Sequence, residues 1–248
     1  MSEISKWYNQ DSFTELADNE IHVWLNYLNV HEARIKHLYP LLTSAEKERS
    51  ERFKFYKHRK AFIASHGFMH MALSNYIDST ADEIEFSYAD QGKPSIIETQ
   101  NPYNIQFNLS HSNNIAIIAI CKNRSVGIDI EYAHRKTDWL GISKRFFTEN
   151  EQKMFFSLTE ESQKEAFFKI WTRKEAHMKV TGQGLSLAPN QFEISVPPVA
   201  AAFIKNLVTP DNNFYKMQEI KLPDMFNDYF ACLSADFDFD EITQFIHP

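Results

Sequence analysis

Ile115 to Cys121, IAIIAIC, is apolar at every position. A strand with one face in water alternates apolar and polar residues, so a run without alternation is buried on both faces. Such a strand needs a layer packed on each side, and the fold must supply helices or further strands to cover it. The run is far too short to span a bilayer, which takes about 20 residues. At 248 residues the chain is long enough for one large domain or two small ones. With 43% apolar residues and 35 aromatic side chains (21 Phe, 10 Tyr, 4 Trp), there is ample material for a core.

The formal charge is −7, from 26 basic and 33 acidic residues. General nucleic-acid binders are usually basic overall, so this balance argues against one. The N-terminus, MSEISKWYNQD, has no apolar secretory core. Cys121 and Cys232 both lie in apolar runs and read as buried free thiols. These features predict a cytoplasmic protein, with no nucleic acid and no membrane among its partners.

Hydrophobic periodicity predicts the order of elements. Residues 21–28 read as a strand, 44–56 and 60–77 as helices, and 84–88 as a strand ending in the turn Asp90-Gln91-Gly92-Lys93-Pro94. Strands follow at 105–109 and 115–121 around a polar link, Ser110 to Asn114, and then another at 126–132. Helices are predicted near 138–146, 149–157 and 162–180, and strands near 191–196, 214–221 and 228–235. Asp236 to Glu241 reads as an acidic, solvated tail. Thr148 and Glu151 fit a capping box, and Gly182 fits a C-cap. The order repeats once, so the expected class is α+β. Two pseudo-symmetric lobes, 1–123 and 124–248, each carry antiparallel strands packed on helices, with a cleft between them.

Five segments bear chemistry. In Val126–Tyr132, Asp129 and Glu131 are two apart and share a strand face. Two adjacent carboxylates repel unless a cation lies between them, and a hard divalent cation prefers such oxygen ligands. A solvated strand face with two acids has the same spacing. In 162–185, Glu175 and Lys179 are four apart on a helix, which suits either a surface ion pair or an acid facing a cation and a lysine facing its anion. Lys174 falls in the apolar stripe of that helix, where a charge is costly unless paired. Ser110 and His111 are adjacent on a strand, so they point to opposite faces and do not make a nucleophile and base. A hydroxyl, an imidazole and strand-end N–H groups instead suit phosphate oxygens, and the same residues suit a polar hairpin turn. The stretch from Lys47 to Lys60 carries Lys47, Arg49, Arg52, Lys54, Lys57, Arg59 and Lys60, with His58, and no acid follows Arg52 until Asp78. Lys93 in the rigid turn Gly92-Lys93-Pro94 suits a phosphate contact, and equally an ordinary loop.

In order, GKP, FNLSHS, VGIDIE, FFTENE and FFKIWTRKEAHMKVTGQGL resemble the 4′-phosphopantetheinyl transferases, in their larger two-lobed type that activates carrier proteins of peptide and polyketide synthetases. The resemblance implies Mg2+, or Mn2+, held by Asp129, Glu131 and Glu175. It implies Glu175 as the carboxylate that deprotonates the acceptor serine and Lys179 as the lysine at the coenzyme A pyrophosphate. Lys93, Pro94, Ser110 and His111 match coenzyme A contacts, and Arg49 and Arg59 are the choices for the early basic contacts. Glu151 matches an acid near the metal, in competition with its capping role. His70 stands where many relatives carry arginine. The implied reaction moves the 4′-phosphopantetheine arm of coenzyme A to a serine of an apo acyl, peptidyl or polyketide carrier protein, catalysed by a monomer. A non-catalytic carrier-binding homologue and a magnesium-dependent phosphohydrolase or nuclease are the alternatives.

Overall fold

The computed structural model describes residues 6–9, 13–89, 92–183, 187–208 and 213–247. The chain divides into two compact units. One is Arg124–Glu241; the other is Lys6–Asn123 joined by residues 242–247.

In the N-terminal unit the chain runs through β1 (Trp7–Asn9), β2 (Glu20–Tyr27), α1 (Glu32–Leu38), α2 (Ser44–Glu51), α3 (Tyr56–Leu73), β3 (Phe86–Tyr88), β4 (Pro94–Ile96), β5 (Ile105–Ser112) and β6 (Ile115–Lys122). The C-terminal unit holds β7 (Val126–Tyr132), α4 (Trp139–Phe146), α5 (Glu149–Phe156), α6 (Glu160–Thr181), β8 (Phe192–Ile194), β9 (Phe203–Asn206), β10 (Lys216–Glu219) and β11 (Tyr229–Ala235). The last strand, β12 (Glu241–His247), returns to the first sheet, whose order is β1-β12-β2-β6-β5.

β6, the run with no alternation, has Ile115–Cys121 buried on both faces, paired by β2 on one side and β5 on the other. Its core partners include Trp24, Phe68, Met69, Phe107 and Phe245. Phe245 comes from β12 and stacks on Trp24 with ring centroids 4.6 Å apart. This strand corrects the boundary read from the sequence, which assigned everything after 123 to one lobe: the apolar face of β12 has its partners in the N-terminal core. The segment before it is corrected as well. Phe237 and Phe239 are buried, so Asp236 to Glu241 is not a solvated tail.

Two further readings change. The expected single helix over 44–56 ends at Glu51, and a separate helix starts at Tyr56. The polar link after Leu109 is strand: β5 runs to Ser112, and the hairpin closes on Asn113 and Asn114, with Asn113 at φ 50°.

In the C-terminal unit, β7 pairs antiparallel with β11, placing Asp129 opposite Cys232 and Glu131 opposite Phe230, and β10 completes this sheet. Helix α6 lies on β7. Its core side carries Phe167, Phe168, Ile170 and Met178. It ends at Gly182 with φ 68°, the left-handed cap that favours glycine. Gly184 lies outside the described residues. Among the described residues no helix is long and apolar enough to cross a membrane. Both cysteines are buried, and neither is in a disulfide.

Candidate active site

The site starts from a residue with no side chain. On β7, Gly127, Asp129 and Glu131 share one face. A Cβ at Gly127 would run into the α6 backbone at Ala176 and Val180. Glycine therefore lets the helix backbone press against the strand. Glu175 and Lys179, on either side of that contact, are carried onto Asp129. Ile128 and Ile130 point the other way and are buried. The acid face is not solvated, as one reading of the sequence allowed: Asp129 is 5% exposed and Glu131 8%.

Lys179 Nζ lies 2.7 Å from Asp129 Oδ1 and also donates to Ile128 O at 3.1 Å. Glu175 is half-buried. Burial, and then the charge of Asp129, push its carboxyl up from the usual range, while Lys179 and Arg135 pull it part of the way back. The leading cause is its burial under α6, which disfavours the charged form. Glu131 Oε2 meets Arg135 Nη1 at 2.9 Å. Thus the structure brings Asp129, Glu175 and Lys179 together and turns Glu131 toward Arg135, which the sequence reading did not name. Among the described residues no three acid, histidine or cysteine side chains form a cluster that could hold a metal ion.

Glu151 is not in this group. Its Oε2 accepts from the Thr148 backbone N–H at 2.8 Å, while Thr148 Oγ1 accepts from the Glu151 N–H. Its Oε1 takes Lys174 Nζ at 2.8 Å and the Ile194 N–H at 2.9 Å. Both oxygens are engaged inside the unit, so the competing reading, a helix cap, is the one the geometry fits. Lys174 is fully buried and also donates to Pro189 O and Phe192 O. On its other flank Arg173 donates to Ser195 O, Val199 O and Glu219 Oε1. These two cations tie α6 to the loops and strands beyond it and fix which face it turns to β7.

The N-terminal unit repeats the device. Thr43 caps α2 and Glu46 reaches back, a second capping box that the same T-x-x-E signal would have revealed. Glu46 then takes His70 Nε2 at 2.8 Å and His66 Nδ1 at 2.7 Å from α3. The offset from capping Glu to its nitrogen partner on the long helix is 24 residues for Glu46 and His70, and 23 for Glu151 and Lys174 in the other unit. The resemblance between halves is therefore one of side-chain roles, not only element order. It also accounts for a single acid site. Where β7 offers Asp129 to Lys179, β2 offers His22 and Trp24 to Tyr76, whose hydroxyl is 2.8 Å from His22 Nδ1 and 2.6 Å from Trp24 Nε1.

The other expected contacts lie in the N-terminal unit. On β5 Ser110 is buried and His111 exposed, on opposite faces. Lys93 stands in the turn before β4, and Pro94 opens that strand. Arg49 lies over the Phe62 ring at 5.4 Å. Arg59 is 3.7 Å from Glu51.

Comparison with known proteins gives two family models. One, the 4′-phosphopantetheinyl transferase superfamily, matches residues 125–234; the other, the 4′-phosphopantetheinyl transferase N-terminal domain, matches 29–123. The chain is 32% identical over 214 residues to the 4′-phosphopantetheinyl transferase HetI of Nostoc sp., covering 84% of this chain and 90% of HetI.

The chain belongs to the 4′-phosphopantetheinyl transferase superfamily.

Two further relatives in this superfamily are similar over shorter spans. The 4′-phosphopantetheinyl transferase ffp of Bacillus subtilis is 32% identical over 152 residues, 61% of this chain and 65% of ffp. The L-aminoadipate-semialdehyde dehydrogenase-phosphopantetheinyl transferase of Rattus norvegicus is 32% identical over 167 residues, 62% of this chain and 53% of that protein.

Proposed function

We propose that this chain transfers the 4′-phosphopantetheine arm of coenzyme A to a serine hydroxyl of an apo acyl, peptidyl or polyketide carrier protein, as a monomer in the cytoplasm. The observation that carries the reading is the meeting of Asp129, Glu175 and Lys179 under α6. It lies in a chain that aligns with HetI over most of both lengths.

The donor set suits Mg2+ or Mn2+. All three acids offer oxygen, and Asp129 and Glu175 stand close enough for one charge to disfavour the other. Mg2+ keeps several waters and is bound through one or two carboxylates plus substrate phosphates rather than in an all-protein cage. Asp129, Glu131 and Glu175, which are not drawn into a three-ligand cluster here, would hold it together with the substrate phosphates. Bound there, the ion supplies charge neutralisation on the pyrophosphate. Glu175 takes the proton from the serine hydroxyl. The serine oxygen forms its bond to phosphorus as the bond to the leaving phosphate breaks, and adenosine 3′,5′-bisphosphate departs. Lys179, released from Asp129, donates to that leaving phosphate. In the N-terminal unit Lys93, Pro94, Ser110 and His111, with Arg49 and Arg59, are proposed to contact coenzyme A. The catalytic demand is mainly positioning and charge stabilisation. The test is to incubate the protein with coenzyme A, Mg2+ and a panel of apo carriers. The reading requires at least one carrier to gain the mass of one phosphopantetheine on its serine.

A further inference from the structure

Each acid on β7 is covered by a basic side chain of its own unit. Lys179 comes from the last turns of α6. Arg135 comes from the turn that follows β7, where its backbone N–H returns to Tyr132 O at 3.3 Å. That turn folds the chain back along its own strand, so that the guanidinium reaches Glu131 from four residues on. The Glu131 side chain is 10% exposed and that of Arg135 is 38% exposed. The acid is fixed, and the arginine can leave it without unpacking the core. Within this group three carboxylates face two cations.

We infer that Arg135 is a positioning residue that stands in for a divalent ion at Glu131 and sets how much of that ion the site needs. The inference rests on the metal reading proposed above and adds a residue to it. Arg135 holds the Glu131 carboxylate at 2.9 Å on the acid face of β7. An ion that claims the Glu131 oxygens must displace a guanidinium and tolerate its positive charge nearby. The displaced guanidinium, at the rim of the site, then has planar paired donors to offer a phosphate-bearing substrate. Lys179 does not duplicate this role, because it is bound to the other acid and to a backbone carbonyl.

The experiment titrates the full-length protein with Mn2+ and follows free ion by electron paramagnetic resonance, with and without coenzyme A. Wild type is compared with Arg135→Gln, Arg135→Lys and Arg145→Gln. The last removes an equal charge from α4. Arg135→Gln is expected to bind Mn2+ about three- to tenfold more tightly without coenzyme A, from the loss of one nearby positive charge. Arg135→Lys should stay within about twofold of wild type, as should the α4 control. With coenzyme A and carrier present, Arg135→Gln should also need less Mg2+ for half-maximal transfer while its KM for coenzyme A rises. Equal Mn2+ affinity in wild type and Arg135→Gln overturns the role of Arg135 and leaves the metal reading standing. Failure of the wild type to bind Mn2+ in either condition overturns the metal reading itself, and this inference with it.

Discussion

The ammonium of Lys174 lies 2.8 Å from the carboxylate of Glu151, and both groups are removed from water. Burial pushes the lysine down from its ordinary value, and Glu151 offsets part of that. Breaking such a pair from one side leaves a buried charge without a partner, at about 3–5 kcal/mol. Lys174→Met should therefore lower the denaturant midpoint sharply, and the double variant with Glu151→Gln should recover part of the loss. Additive losses in the double variant would contradict the coupling between the two groups.

Gly127 is the second structural control on the site. A Cβ there meets the α6 backbone rather than a flexible side chain. Gly127→Ala should cost about 1–3 kcal/mol of stability, the range for overpacking, and should lower transfer beyond the loss of folded protein. Thermal melts beside assays at matched folded fraction check both. Unchanged activity and stability would mean that α6 tolerates a shift away from β7.

His177 gives the C-terminal unit an acid-sensitive core. Its ring is packed against Phe192, Phe203 and Tyr215. Burial, and then the charge of Lys174, push it down from 6.5 to about 3. The folded ring binds its proton less readily than the unfolded one. Its contribution is thus present in full above pH 6.5 and is lost as pH falls from there toward about 3. His177→Phe should flatten the thermal midpoint across that window while leaving the midpoint near pH 7 little changed. A wild-type slope retained in the variant would remove His177 from the account.

Glu46 gives the N-terminal unit its own acid limit. Burial pushes this carboxyl up, but hydrogen bonds and charge from His66 and His70 outweigh it and hold the group well below the carboxylate range. Its contribution is present above its unfolded value near 4.5 and fades as pH falls below that. His70 Nδ1 lies 2.7 Å from Ala81 O, while Nε2 faces Glu46 at 2.8 Å, so each ring nitrogen has an oxygen partner. His70→Leu should cost about 1–3 kcal/mol by taking one donor from a buried carboxylate that His66 and Thr43 still hold, and His70→Arg should keep most of the stability. Chemical denaturation at pH 7 separates the two. Equal losses for leucine and arginine would show that ring shape, not charge, holds Glu46.

The sequence exposed the local features well and the long-range ones poorly. β7, the long α6, the Thr148–Glu151 box and the Gly182 cap follow from period, capping chemistry and the left-handed preference of glycine, all within a few residues. The costly charge at Lys174 in an apolar stripe announced a buried partner. The identity of that partner needed the fold, because Glu151 lies 23 residues away and also serves as a cap. β12 was missed because its pairing reaches across the whole chain, to β1 and β2. Among the candidate residues, Asp129 and Glu131 were found by strand period and Glu175 by helix position. Arg135 carries no periodic signal, since only the turn after β7 brings it back to Glu131.

The central claim is that Glu175, set against Asp129 and Lys179, performs the transfer. The direct measurement is the mass of an apo carrier after incubation with coenzyme A, Mg2+ and either wild type or Glu175→Gln, at equal folded concentration. The account predicts a carrier heavier by one phosphopantetheine with wild type and a rate at least about 100-fold lower with the variant, the scale of a lost general base. Transfer by Glu175→Gln at the wild-type rate would contradict it.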